Sequence, residues 1–167
     1  MEYNTCCFTG HRPQSLPWGE NETDTRCIAL KAKMRRTVEE LITRRGFRHF
    51  ISGMAMGVDT YAAELVLLLR RRYPNITLEC AIPFNGQANR WYVDAQRRYY
   101  DLLDQADRVT VVAPRYYPGC FQRRNCYMVD QSRCVLAVWN GQRGGTGNTV
   151  RYARRRDGVE LFLLPPV

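Results

Sequence analysis

Two glycine-rich stretches stand directly ahead of segments with helical patterning. Ser52-Gly53-Met54-Ala55-Met56-Gly57 precedes a run beginning at Asp59, and Gly144-Gly145-Thr146-Gly147-Asn148-Thr149 precedes the last such run. Glycine lets a backbone approach a ligand closely, and the free N–H groups and dipole at a helix start favour an anion. The chemistry read from both turns is therefore the holding of a phosphate or ribose phosphate, with Thr146 and Thr149 as added hydroxyl donors. Neither turn has the spacing of GxGxxG, and neither carries the lysine of GxxxxGK[ST], so ATP hydrolysis of that type is not indicated. The plainer reading of the first turn is conformational: Gly53 and Gly57 permit a tight strand-to-helix connection, with Asp59 as N-cap.

Other side chains with binding chemistry fall near these turns. Arg12, Arg90 and Arg124 suit bidentate contacts to phosphate, although any one arginine is more often a surface charge. Phe84, Trp91, Tyr116 and Tyr117 could stack on a base, although an aromatic near Pro83 is as often packing. His11 could be an acid, a base or a phosphate donor, and no mechanism is built on it. The ligand-binding set expected is Gly10, His11, Arg12, Ser52, Gly53, Met54, Ala55, Gly57, Asp59, Pro83, Phe84, Arg90, Trp91, Arg124, Asn140, Gly144, Gly145 and Thr146. No catalytic residue is assigned, and no metal or obligatory cofactor is expected.

Composition bounds the partners. The 25 basic and 16 acidic residues leave a formal charge of +9, which favours anionic partners without choosing among nucleotides, nucleic acid and acidic proteins. Much of the excess sits in Arg70-Arg71-Arg72 and Arg154-Arg155-Arg156, where cations complement helix C-termini. Seven cysteines form no CxxC pair and have only His11 and His49 to assist them, so neither a structural zinc nor a disulfide framework is expected; buried filler is. Met1 to Gly10 lacks the features of a secretory signal and no apolar run approaches membrane-spanning length, so a cytoplasmic protein without membrane contact is expected.

The elements that must position these residues alternate strand and helix over one domain, residues 1–167, at a size that allows a single core. Strands are predicted at about Tyr3 to Thr9, Phe47 to Ile51, Ile76 to Ile82, Arg108 to Val112, Cys134 to Trp139 and Val159 to Leu164. Helices are predicted over Arg26 to Arg45, Asp59 to Arg72, about Gln87 to Leu103, about Arg124 to Gln131, and Thr149 to Arg156, with Pro114 to Gln122 irregular. This order predicts an α/β, Rossmann-like three-layer domain: a mostly parallel sheet of about six strands with helices on both faces. In such sheets ligands bind beyond the carboxyl ends of the strands, and Gly10-His11-Arg12, residues 52–59, 83–91, 114–125 and 140–149 all follow predicted strands.

Thr9-Gly10-His11-Arg12-Pro13, Ser52-Gly53-Met54-Ala55-Met56-Gly57-Val58-Asp59 with Ala63-Glu64, and Arg124-Asn125 together resemble the YpsA-like branch of the SLOG superfamily. That superfamily also holds the LOG-type nucleotide phosphoribohydrolases and the Rossmann-like domain of DNA-processing protein DprA. The resemblance implies a nucleotide-derived ligand, ADP-ribose or an NAD-like molecule, held by Gly10, Arg12, Ser52, Gly53, Met54, Gly57 and Asp59 with Gly144 to Thr146 helping. It also implies a sensing role in stress or phage defence and a homo-oligomer. LOG-type enzymes carry PGGxGTxxE; setting its glycines on Gly144, Gly145 and Gly147 puts Asn148 at the threonine and Arg151 at the glutamate, so that carboxylate is missing.

Three functions compete. The leading one is binding or sensing of a nucleotide-type ligand. The second is nucleotide N-glycosidase or phosphohydrolase activity with Asp59 or Glu64 orienting water. The third is contact with single-stranded DNA through Arg97-Arg98-Tyr99-Tyr100 and Arg115-Tyr116-Tyr117.

Overall fold

The computed structural model describes residues 4–167; Tyr3, placed by the sequence in the first strand, lies outside them. Six strands are formed: β1 (Thr5–Gly10), β2 (His49–Ser52), β3 (Thr77–Ile82), β4 (Arg108–Val111), β5 (Cys134–Val138) and β6 (Glu160–Leu164). Five helices connect them: α1 (Thr25–Arg45), α2 (Val58–Arg72), α3 (Val93–Gln105), α4 (Cys120–Asp130) and α5 (Gly145–Arg154). Every strand pair is parallel, in the order β4-β3-β2-β1-β5-β6.

That order is what makes a site. From β1 the chain steps outward through β2, β3 and β4, then returns through α4 to lay β5 on the other side of β1. The reversal leaves a crevice between the loops that follow β1 and β5. The direction of travel also sorts the helices. α1, α2 and α3 cover one face, packing Leu30, Met34, Val38, Val66, Tyr99 and Leu102 over Phe8, Phe50 and Leu78. α4 and α5 cover the other, with Met128, Val129 and Ala153 on Cys7, Ile51, Ala81 and Val135. A strand buried on both faces needs apolar side chains at every position, and β5 (Cys-Val-Leu-Ala-Val) is fully buried. Six of the seven cysteines are buried, Cys126 alone being intermediate, and all are free thiols.

Local rules explain the boundaries. α1 opens on Asp24, whose carboxylate accepts the Arg26 N–H at 2.8 Å, and closes on Gly46 in the left-handed region. Arg70, Arg71 and Arg72 occupy the last turn of α2, as the dipole favours. Three helices depart from the expected bounds. α3 starts at Val93 because residues 87–92 fold as turns, α4 starts at Cys120 inside the stretch expected to be irregular, and α5 starts at Gly145 rather than Thr149. Among the described residues, no helix is long and apolar enough to cross a membrane.

Candidate functional site

At the carboxyl edge of β1 and β5 lies a cleft of about 270 Å³. Gly10, His11 and Arg12 from the loop after β1, Ala55 and Asp59 from the turn into α2, Phe121, Arg124 and Asn125 from α4, and Gln142 to Gly147 from the loop into α5 line it. The fold therefore gathers four of the five expected loops at one edge. Three arginines, Arg12, Arg124 and Arg143, line the cleft against one carboxylate, Asp59, so its charge balance is positive.

The two glycine turns take different parts. At the second, Gly144 supplies no side-chain cap to α5, so the first-turn N–H groups are left for an outside acceptor. A methyl group added at Gly145 would meet nothing within 4 Å, which shows the approach to this helix end to be open. At the first turn, side chains of the loop already use two N–H groups: Met54 donates to Ser52 Oγ at 3.2 Å and Ala55 to Asp59 Oδ2 at 3.2 Å. Ser52 Oγ in turn donates to the Asp59 carbonyl at 2.8 Å, and Thr60 Oγ1 to the Ala55 carbonyl at 3.0 Å. This cross-bracing holds buried Met54 at φ 61°, a costly conformation for a residue with a side chain. Asp59 is thus an internal brace in the first turn of α2; the N-cap position itself is Gly57.

Gly53 serves an arginine. A Cβ there would lie 2.8 Å from Arg124 Cζ and Nη1. Arg124, 3% exposed, donates Nη1 to the Gly53 carbonyl and to the Ala81 carbonyl at 3.3 Å, and Nε to Asn125 Oδ1 at 2.7 Å. Burial pushes the Arg124 pKa down, with the Asp59 charge opposing. Burial pushes the Asp59 carboxyl up, with Arg124, the Ala55 N–H and Arg12 opposing. The ends of the loops are equally close-fitted: a Cβ on Gly10 would sit 2.4 Å from Val58 Cγ1, and one on Gly57 would sit 2.6 Å from the His11 carbonyl. His11 Nε2 accepts the Asn140 N–H at 3.1 Å, tying the loop after β1 to the loop after β5. Burial pushes the His11 pKa down, and this acceptor role requires Nε2 to be unprotonated.

The aromatic residues stand to one side. Phe121 carries Arg12 at 5.0 Å from its ring centroid and meets Phe84 edge-on at 5.9 Å, and Phe84 meets Tyr116 at 5.5 Å. From Arg12, Gln14, Ala55 and Phe121 the cleft continues as a groove of about 220 Å³ along Met56, Gln87 and Trp91. Trp91 is half-buried, edge-on to Tyr99 at 5.2 Å. Pro83 is buried at the end of β3, and Arg90 is exposed and outside the lining of cleft and groove. Ser52, Gly53 and Met54 lie beneath the surface, bracing rather than lining, and Gly57 borders the pocket beyond Trp91.

Arg151, at the place of the LOG-type glutamate, is exposed and donates to Asn148 Oδ1. Glu64 is bound to Arg98 away from the cleft. Among the described residues no group of three His, Cys, Asp or Glu side chains could hold a metal ion. The sequence reading missed a buried cluster on the opposite half of the sheet. Glu79, 1% exposed, accepts from His49 Nε2 at 2.7 Å, Tyr127 Oη at 2.6 Å and Thr110 Oγ1 at 2.8 Å. The available signal was a lone carboxylate within an otherwise apolar strand, which must find partners.

A wholly parallel sheet whose strand order reverses beside a polar cleft defines a Rossmann-like α/β protein. Within that class the chain belongs to the YspA SLOG family (YpsA), whose family model matches residues 6–157. It is 33% identical over 152 residues to the uncharacterized SPbeta prophage-derived protein YoqJ of Bacillus subtilis (strain 168), across 83% of this chain and 89% of that protein. It is 30% identical over 155 residues to a UPF0398 protein of Bacillus thuringiensis (strain Al Hakam), across 90% of this chain and 82% of the relative. Among solved structures, DNA processing protein A from Helicobacter pylori, studied for its single-stranded DNA binding mode, superposes with a TM-score of 0.60 at 16% identity, over 96% of this chain and 65% of that one. At that identity the likeness is one of fold.

Proposed function

We propose that the protein binds a phosphorylated, nucleotide-derived ligand of the ADP-ribose or NAD-like kind in the seam cleft, and acts as a binding or sensing domain. The observation that carries this reading is the convergence on one open cleft of an uncapped helix start and three guanidinium groups. Phosphates would sit at Gly144 to Gly147 within reach of Arg12 and Arg143, and a base would extend along the groove toward Phe121 and Trp91. Because His11 and Asn140 join the two loops, a ligand bound between them would tighten that junction.

Calorimetric titration with ADP-ribose, NAD, AMP and a short single-stranded oligonucleotide, with chromatography of each mixture for products, tests the reading. Binding of a small nucleotide without products, weakened by Arg12→Ala, is expected. Products would place the protein among the nucleotide hydrolases. Binding of the oligonucleotide alone, falling steeply with salt, would replace the reading with one based on backbone neutralisation and the charge of +9.

A further inference from the structure

We infer that Asp59 reads a ribose hydroxyl of the bound ligand, so that the cleft takes ribonucleotide-type molecules in preference to their deoxy counterparts; the inference rests on the nucleotide reading above. Asp59 is 6% exposed, yet it lines the cleft. Oδ2 is occupied by the Ala55 N–H, while Oδ1 receives no hydrogen bond from any described residue. Since no buried polar side-chain atom among the described residues lacks a partner, this oxygen is open to the cleft rather than sealed within the fold. A carboxylate so deeply placed is normally bonded at both oxygens. The open one therefore faces whatever occupies the cleft.

The surroundings select the donor. Arg12, Arg124 and Arg143 disfavour an ammonium group, and the carboxylate itself repels phosphate oxygens, which have the guanidinium groups and the α5 N–H groups to go to. A neutral hydroxyl satisfies Asp59 without competing for those sites. A sugar phosphate carries both a hydroxyl and a phosphate, and both receptors line the same cleft. Ser52 Oγ on the Asp59 carbonyl and the Ala55 N–H on Oδ2 hold Asp59 in place before any ligand arrives, as discrimination by one hydrogen bond requires.

The test is calorimetry with ADP, 2′-deoxy-ADP, 3′-deoxy-ADP and inorganic pyrophosphate on wild type and Asp59→Asn. A hydrogen bond to a charged group implies that at least one deoxy ligand binds wild type roughly tenfold or more weakly than ADP. In Asp59→Asn that ratio should fall to within about threefold while pyrophosphate affinity is retained. Equal affinity of wild type for all three nucleotides, or an unchanged ratio in a folded Asp59→Asn, would overturn the assignment and leave the nucleotide reading intact. Absence of binding by every nucleotide would overturn both. Should Asp59→Asn fail to fold, a wild-type ratio near one still overturns the assignment.

Discussion

Replacing Gly53 by alanine should injure the protein through Arg124 alone. Gly53 lies outside the left-handed region, so alanine strains no backbone there. Its methyl group would nevertheless arrive 2.8 Å from the Arg124 guanidinium carbon, which must withdraw. Withdrawal stretches or breaks the hydrogen bonds to the Gly53 and Ala81 carbonyls inside the core. Each such bond to a charged group contributes roughly 1.5–3 kcal/mol, so partial loss of the pair costs about 3 kcal/mol. For a domain of this size that is a fall of roughly 6–12 °C in Tm. The assay is thermal unfolding of Gly53→Ala in two backgrounds, wild type and Arg124→Met, which keeps most of the stem without the guanidinium. In the second background the same substitution should cost less than about 1 kcal/mol, the difference being the coupling energy. Equal losses in both backgrounds, or none in wild type, would refute the claim that this glycine exists to admit the arginine.

Gly145→Asp should separate stability from binding: the added carboxylate meets open space at a helix start, where it contributes about 0.3–1 kcal/mol, yet it should lower ADP-ribose affinity by about tenfold or more through like charge. Unfolding midpoints and calorimetry on the same sample check both directions. Burial alone would raise the Glu79 pKa, but hydrogen bonds from His49, Tyr127 and Thr110 hold it at about 2, below its ordinary 4.5. A depressed carboxyl pKa contributes stability above the unfolded value that is lost as pH falls from about 4.5 toward 2; Glu79→Gln should cost about 3 kcal/mol at neutral pH and flatten that acid limb in urea titrations. Gly10→Ala, whose Cβ would strike Val58 Cγ1 at 2.4 Å, should lower Tm in wild type and much less beside Val58→Ala, as scanning fluorimetry would show. Because burial raises the Asp59 pKa, preference for ADP over its deoxy forms should fade as pH drops through that raised value, and affinities measured from neutral to acid pH would reveal it.

The layered architecture was legible because buried strands and amphipathic helices leave strong periodic signals, and the expected sheet, its strands and the edge where the loops gather are all present. The start of α4 was not legible because its buried face is Cys120, Arg124 and Met128, so an arginine occupies a core position and breaks the apolar period. The start of α5 was hidden by Gly145 and Gly147, residues of poor helix propensity. At the cleft, motif reading found Arg12, Asp59 and Gly144 to Thr146, but sequence could not tell lining from bracing. Ser52, Gly53 and Met54 share a motif with Ala55 and lie under the surface, because a loop's own hydrogen bonds decide which of its groups face outward. Arg143 and Phe121 line the cleft without any sequence signal of their own, since an isolated arginine or aromatic carries none.

The seam between β1 and β5 also sets a timetable. Its loops meet through His11 and Asn140, 129 positions apart, and β1 cannot gain its second neighbour until the last part of the chain is made. Contacts that distant bear the largest loop-closure cost and form late. During synthesis, β1 to β4 with their three helices can assemble while one flank of β1 still lies bare. The cleft of a nascent chain is thus incomplete until α5 has left the ribosome, and a truncation anywhere before Gly145 should yield a sheet with an unprotected edge and a cleft lacking its α5 wall.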